Sequence, residues 1–202
     1  MVRETTRRVV CSSNIRQIGL GLAMYADEHG GALPTSIHTQ ITGGNEAPVQ
    51  LMMAVHVSNP EYTGWDALGW LFINEYLETP GVFYCPSHRG LHPQSAYASL
   101  WKSPESNLIF CNYQYRYLDS NGAPIRLFEV PSMAVVTDGM LTSADFNHRV
   151  GSNVLWNDLS ASWFSDAAGS IAASLPSTAT QDDAPDLVTD AWRTLDLNVN
   201  DR

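Results

Sequence analysis

One short segment carries three side chains that could bind a metal ion. Cys85, His88 and His92 form a Cys-x2-His-x3-His pattern, and thiolate and imidazole groups are the ligands that zinc prefers. No fourth ligand is evident, and structural zinc sites normally use paired ligands from two segments. Pro86 also follows the cysteine directly. We therefore expect a structural turn in this segment, with a zinc site as the alternative.

His148 and Asp158 could be drawn into a hydrolytic triad with Ser152 or Ser160, or with Cys85 as the nucleophile. A triad is defined by geometry, however, and no Gly-x-Ser-x-Gly elbow or catalytic-cysteine signature accompanies these residues. We expect instead that His148 and Asp158 are a polar pair at the ends of a hairpin, where such side chains bind the backbone. The sequence predicts no enzyme activity.

The chain contains three cysteines, Cys11, Cys85 and Cys111, which allow at most one internal disulfide. For an exported protein we predict a Cys85 to Cys111 disulfide, because both residues fall in the globular part whereas Cys11 lies on a predicted helix. The alternative is that all three are small buried hydrophobic side chains.

The composition indicates a folded domain and excludes some partners. The chain has 202 residues, of which 44% are hydrophobic, and this is enough for a sizeable core. Its formal net charge of -10 argues against nucleic acid or an anionic membrane surface as the main partner, since phosphate binding needs clustered Lys and Arg. No stretch approaches the roughly 20 apolar residues of a membrane span.

The N-terminal residues 2–29 have the pattern of one amphipathic helix. Spacings of four, three, four and three place five side chains on one packing face, namely Cys11, Ile15, Ile18, Leu22 and Tyr25. Gly30, Gly31 and Pro34 then end the helix. Its start is less clear, since basic residues occupy the first turns and oppose the helix dipole. Either Thr5 or Thr6 caps a shorter helix, or the helix continues upstream.

The rest of the chain divides into further predicted elements. Residues 63–77 read as a second helix and residues 82–85 as a short strand, while residues 49–57 fit either type. Two antiparallel pairs follow, one of 108–118 with 125–130 and one of 153–156 with 161–164. A single strand is predicted between them at 134–136. Residues 191–199 form a final short element that docks on the domain.

We therefore predict an α+β fold in which a long N-terminal helix packs on an antiparallel β-sheet. The expected regions are an N-terminal helix at 1–30, a helix and loop region at 31–107, a sheet at 108–168 and an acidic C-terminal arm at 169–202.

Several motifs, in this order, resemble a large branch of the type IV pilin and type II secretion pseudopilin family. They are residues 11–20 (Cys-Ser-Ser-Asn-Ile-Arg-Gln-Ile-Gly-Leu), residues 84–87 (Tyr-Cys-Pro-Ser), residues 112–115 (Asn-Tyr-Gln-Tyr) and a late motif from His148 to Asp158. One departure is Leu159, where the family usually has a Gly that permits a positive φ. That turn is expected to be built differently here. A second departure is that the family's leader and apolar half-helix are not in this sequence.

The resemblance implies a pilin-like fold and a non-catalytic structural subunit of a type II secretion or type IV pilus-like filament. Its partners would be other pilin-like subunits and secretion or pilus assembly proteins, and an apolar half-helix missing from this sequence would hold it in the bacterial inner membrane. It would face the periplasm or form a cell-surface filament, whereas the chain as given is expected to be soluble. The alternative is a membrane-anchored periplasmic or cell-surface binding module that uses the helix only as an anchor.

Some pseudopilins hold calcium in a late loop, and this chain has acidic residues near its C-terminus that could supply oxygen ligands. The candidates are Asp182, Asp183 and Asp186. They do not form an Asp-x-Asp-x-Asp-Gly loop, and an acidic tail is commonly only solvated. Calcium therefore stays an alternative, and no other cofactor is predicted.

Overall fold

The computed structural model describes residues 2–37, 53–58, 60–119, 121–178 and 184–198. It shows a mixed α+β fold in which a long N-terminal helix packs on antiparallel sheets, which confirms the predicted class. In the described part of the chain, no helix is both long and apolar enough to cross a membrane.

Helix α1 (Val2–Glu28) is the longest helix of the described residues. Four members of its predicted packing face, Cys11, Ile15, Ile18 and Leu22, are completely buried in the main core, and Tyr25 is half-buried against it. The helix ends where Gly30 and Gly31 take positive φ angles of 60° and 89°, which only glycine adopts without strain. The N–H of Gly31 donates to the carbonyl of Ala26 and closes the last turn.

A four-stranded antiparallel sheet supports α1. Its strands, in spatial order, are β4 (Tyr113–Tyr115), β5 (Ala134–Asp138), β6 (Gly151–Trp156) and β7 (Ala161–Ser165). The helix crosses closest at Gly19, where an added Cβ would lie 2.8 Å from the side chain of Leu155 in β6. The strands predicted at 134–136, 153–156 and 161–164 fall within β5, β6 and β7.

A second antiparallel sheet has the order β2 (Thr63–Trp65), β1 (Ala54–Ser58) and β3 (Ile109–Phe110). The predicted helix at 63–77 is therefore wrong over its first part, which is strand β2. Helix α2 (Gly69–Ile73) is short because Ala67 before it and Glu75 after it have φ angles of 46° and 62°. Its start packs so tightly that a Cβ on Gly69 would overlap the carbonyl of Val55.

Two further predicted elements differ from the structure. Residues 82–85 are not a strand, because a 3-10 helix at Pro80–Phe83 precedes the extended Tyr84. The hairpin of 108–118 with 125–130 closes as expected, with the N–H of Ile125 donating to the carbonyl of Tyr117 at 2.7 Å. Its second arm then bends at Phe128, whose φ is 68°, and bonds to Asn157 instead of continuing the strand.

The predicted boundary at residue 108 is not a boundary in the fold, because β1 pairs with β3 across it. The region 169–202 is also more than an acidic arm. It contains α4 (Ser170–Ser174) and α5 (Ala184–Leu197), which follow the short helix α3 (Gln94–Tyr97) and a 3-10 helix at Leu100–Lys102. Helix α5 buries one stripe in a second core, formed by Val188, Ala191, Trp192 and Leu195.

Candidate functional site

Four buried side chains from four separate segments meet beneath α1, and we call them the buried centre: Cys11, Cys85, Asp138 and His148. Each offers one ligand atom, and these atoms all lie within 4.8 Å of one another. Among the residues that the structure describes, this is the only such group of three or more Cys, His, Asp or Glu side chains. Residue types and separation therefore make it the best candidate for a functional site.

Cys11 and Cys85 form a disulfide whose Cα atoms are 5.4 Å apart. The predicted Cys85 to Cys111 disulfide is wrong, because α1 packs on the Pro80–Phe83 turn and brings Cys11 to Cys85. Cys111 is a free buried thiol that donates to the carbonyl of Tyr113 at 3.2 Å. Burial raises its pKa to about 12, so it behaves as a small core side chain.

The His148 ring stands between acceptors on both sides. Its Nδ1 donates to Oε1 of Glu4 at 2.6 Å. Its Nε2 lies 3.4 Å from Oδ2 of Asp138 and 3.7 Å from Sγ of Cys85. The ring of Trp163 packs edge-on against it at 5.6 Å and shields it from water. Glu4 thus orients the imidazole, and Nε2 faces the sulfur and the carboxylate.

Asp138 ends β5 at the base of the centre and is completely buried. Its Oδ2 accepts hydrogen bonds from the backbone N–H and the side-chain amide of Asn153, at 2.7 and 2.9 Å. Its Oδ1 is buried and has no hydrogen-bond partner. Buried polar atoms are nearly always paired, so this oxygen needs an explanation.

The two carboxylates that face His148 differ in their pKa. Burial would raise the pKa of Glu4, but hydrogen bonds from His148 and Ser87 outweigh it, and the pKa is lowered. Burial raises the pKa of Asp138 above its ordinary value, and neither the charge of His148 nor the hydrogen bonding of Asn153 and Asn147 compensates. Glu4, the half-exposed carboxylate, therefore stays ionised to a lower pH than Asp138 does.

The set of Cys85, His88 and His92, considered as an alternative zinc site, is not brought together. The Nδ1 of His88 donates to Oδ1 of Asn147 at 2.7 Å, and its Nε2 accepts from the backbone N–H of His92 at 3.4 Å. His92 binds the hydroxyl of Tyr97 at 2.8 Å. Burial lowers the pKa of both histidines despite the nearby charge of Asp145. We call this set of four, His88, His92, Asn147 and Tyr97, the histidine cluster.

His148 and Asp158 do not form a pair at the ends of the hairpin. Asp158 does bind the backbone as expected, since its Oδ1 accepts from the N–H of Ser160 at 2.9 Å in the β6 to β7 turn. His148 instead binds carboxylates at the buried centre. The expectation of a differently built turn is also wrong, because Leu159 itself takes a φ of 66° in place of glycine.

Residues 1–155 match the family described as "Protein of unknown function (DUF1559)". The chain belongs to that family. It is a pilin-like family, in agreement with the helix-on-sheet fold. No curated protein and no solved structure matches the chain.

The part of the chain that matches the DUF1559 family contains every residue of the buried centre and the residues that hydrogen-bond to it, whereas Trp163 lies beyond the match. Two of these were not expected from the sequence, Glu4 and Asp138. Another is Asn14, whose amide donates to the carbonyl of Tyr84 at 3.1 Å and to the hydroxyl of Tyr113 at 3.2 Å. The only available signal was that Asn14 and the cysteines lie within motifs shared with the family.

Most of the acidic residues considered as alternative calcium ligands lie outside the described residues. Asp182 and Asp183 lie outside the described residues, and Asp186 is exposed in the first turn of α5. A surface pocket of about 440 Å³ opens beside the buried centre instead. Cys85 forms part of its wall together with Val10, Asn14, His88 and Gln94.

Proposed function

We propose that this protein is a non-catalytic structural subunit of a pilus-like filament of the type II secretion or type IV class. The observation that carries the proposal is the second face of α1. One face of the helix is buried in the domain, while the opposite face presents apolar side chains to solvent. Exposed apolar side chains that share one side of a helix offer a surface for a partner.

Four large apolar side chains of α1 are exposed, and all but Val10 share this face. Val9, Leu20 and Met24 are 65%, 64% and 45% exposed. At about 100° per residue they fall within about 60° of one another around the helix, opposite to Ile18 and Leu22. This apolar stripe is suited to packing against α1 of a second copy of the chain.

The domain also holds α1 rigidly, as a subunit that transmits force along a filament would require. The Cys11 to Cys85 disulfide, the amide of Asn14 and the carboxylate of Glu4 all tie the helix to the globular part. A disulfide persists in oxidising compartments, which favours the periplasm or the cell surface over the cytoplasm. The proposed partners are other pilin-like subunits, assembly proteins, and the inner membrane through an apolar half-helix upstream of α1.

The test is a substitution on the stripe in the product of the complete reading frame. Leu20→Asp should abolish recovery of the protein in sheared filaments, as scored by immunoblot and electron microscopy, without lowering the melting temperature of the domain. Leu91→Asp is the matched control, because Leu91 is 73% exposed but belongs to a loop and not to the α1 stripe. Normal filaments with Leu20→Asp, or no filaments from the unaltered protein, would refute the proposal.

A membrane-anchored binding module is the second candidate, and the pocket beside Cys85 favours it. In that case the unaltered protein would stay in the membrane fraction as single copies, and Gln94→Trp, which would fill the pocket, would block ligand capture. Filament recovery that is unchanged by Gln94→Trp distinguishes the two functions.

A further inference from the structure

We propose that the buried centre is a zinc site when its two cysteines are reduced, and that the Cys11 to Cys85 disulfide is the oxidised, zinc-free state of the same four residues. The chemistry of the set fits a closed tetrahedral site, with two thiolates, one imidazole and one carboxylate as ligands. The proposal is independent of filament assembly.

The separations of the ligand atoms support a common ion. In a tetrahedral zinc site, with bonds of about 2.0 to 2.3 Å, ligand atoms lie about 3.3 to 3.8 Å apart. The Nε2 of His148 is already 3.4 Å from Asp138 and 3.7 Å from Cys85. Because no two of the four ligand atoms are more than 4.8 Å apart, opening the sulfur to sulfur bond and rotating the cysteine side chains is the main adjustment required.

Two features that the fold alone does not require also point to a cation. The first is Asp138, a completely buried carboxylate whose Oδ2 lies 3.4 Å from the Nε2 of His148 and whose other oxygen, Oδ1, has no hydrogen-bond partner. The second is Glu4, which accepts the Nδ1 hydrogen of His148 and so leaves the lone pair of Nε2 facing the centre. A carboxylate that holds the far nitrogen of a metal-binding histidine is the usual support of such ligands.

The reduced, zinc-bound state and the oxidised, zinc-free state interconvert with a dithiol as the reductant and a disulfide as the oxidant. A dithiol reductant breaks the Cys11 to Cys85 bond and becomes a disulfide itself, leaving two protein thiols. Zn²⁺ then displaces their two protons and binds both thiolates. In the reverse direction, a low-molecular-weight disulfide takes two electrons from the thiolates, which form the protein disulfide and release the ion. The pocket beside Cys85 gives these reactants a way in.

The test uses the untagged chain, reduced with a phosphine under nitrogen, loaded with zinc sulfate and desalted. We expect about one zinc per chain by mass spectrometry of the metal, and less than about a tenth of that after oxidation with oxidised glutathione. Co²⁺ in place of zinc should give a thiolate charge-transfer band. Reduced protein without stoichiometric zinc, whether folded or unfolded, would overturn the proposal.

Variants locate the ion. His148→Gln and Cys11→Ser should lose the zinc, and Glu4→Gln, which alters only the support of His148, should weaken binding about 10- to 100-fold. Cys111→Ser and His92→Ala are matched controls that should bind as the unaltered chain does, with folding checked by circular dichroism. Zinc that survives His148→Gln but is lost with His92→Ala would place the ion on the sequence-adjacent set instead and refute this site.

Discussion

Cys85 and His88 are three residues apart, yet they belong to two different polar groups, and so do the neighbours Asn147 and His148. Each of these two segments sends one side chain to the buried centre and another to the histidine cluster. In the cluster, both ring nitrogens of His88 are occupied by hydrogen bonds. In the centre, the Nε2 of His148 faces only acceptors, a sulfur and a carboxylate oxygen.

The difference shows what makes a metal-binding set. Sequence spacing brings together residue types, but hydrogen bonds decide whether their lone pairs are available. The cluster has the better spacing, but its His88 nitrogens are satisfied, whereas the centre is assembled from residues as far apart along the chain as Cys11 and His148 and leaves the Nε2 of His148 facing a sulfur and a carboxylate oxygen. Four predictions test this contrast in the zinc-free, disulfide-bonded chain.

The largest effect is expected from Cys11→Ser. The disulfide closes a loop with a sequence separation of 74 residues, for which loop entropy predicts a loss of about 4 kcal/mol in the free energy of unfolding. Urea unfolding under oxidising conditions measures the loss. The difference in the free energy of unfolding between Cys11→Ser and the unaltered chain should shrink when both proteins are chemically reduced. Cys111→Ala, which leaves the disulfide in place, should lower the free energy of unfolding much less. A loss with Cys11→Ser below about 1 kcal/mol would show that the disulfide does not constrain the chain.

The next largest effect is expected from His148→Ala. Without the imidazole, the buried carboxylate of Asp138 loses the ring that lies 3.4 Å from its Oδ2, which costs about 3 kcal/mol near neutral pH. Because burial already raises the pKa of Asp138, the carboxyl group takes up a proton on acidification and the deficit becomes smaller. Urea unfolding measures the loss in the free energy of unfolding at pH 7.5 and at pH 5. A deficit that grows toward pH 5 would contradict this assignment.

His88→Gln probes the histidine cluster, where the loss should be only about 1 kcal/mol because Gln keeps a donor for Asn147. The pKa of His88 and of His92 is lowered below the ordinary 6.5 by burial. The unfolded chain therefore binds more protons just below pH 6.5, and the free energy of unfolding falls as the pH drops through that range. His88→Gln should make this fall less steep, whereas Lys102→Gln, an exposed control, should leave it unchanged.

The difference between local spacing and tertiary contact also explains which elements of the fold could be predicted from the sequence. The spacing of Cys11, Ile15, Ile18 and Leu22 predicted the packing face of α1, since helical periodicity is local. Strands β5, β6 and β7 were also predicted, because alternation and turn residues mark them. The helix proposed at 63–77 failed because pairing of β2 with β1 overrides the apolar spacing. Tertiary contacts of this kind leave no local pattern.

The candidate site was also predicted only as far as local sequence signals reach. Cys85 and His148 were recognised as reactive types, but their partners were assigned by proximity along the chain or by domain, to Cys111, His88 and Asp158. The true partners depend on how α1 lies across the sheet, which places Cys11 and Glu4 beside them. Only the packing of a helix on β6 and on the Pro80–Phe83 turn determines that position.

The smallest effect is expected from Glu4→Gln, which separates the role of the charge of Glu4 from that of its hydrogen bonds. The amide oxygen can still accept from His148, so the loss near pH 7 should be about 0.5 kcal/mol. Since the pKa of Glu4 is lowered below its ordinary 4.5, the contribution of its charge is present above pH 4.5 and is lost as the pH falls through the folded-state value. The variant should therefore resemble the unaltered chain more closely at pH 3.5 than at pH 7.

Glu129→Gln, which breaks an exposed ion pair with Arg126, is the control and should change little at either pH. An equal loss from both variants would mean that Glu4 acts as an ordinary surface charge and does not orient His148.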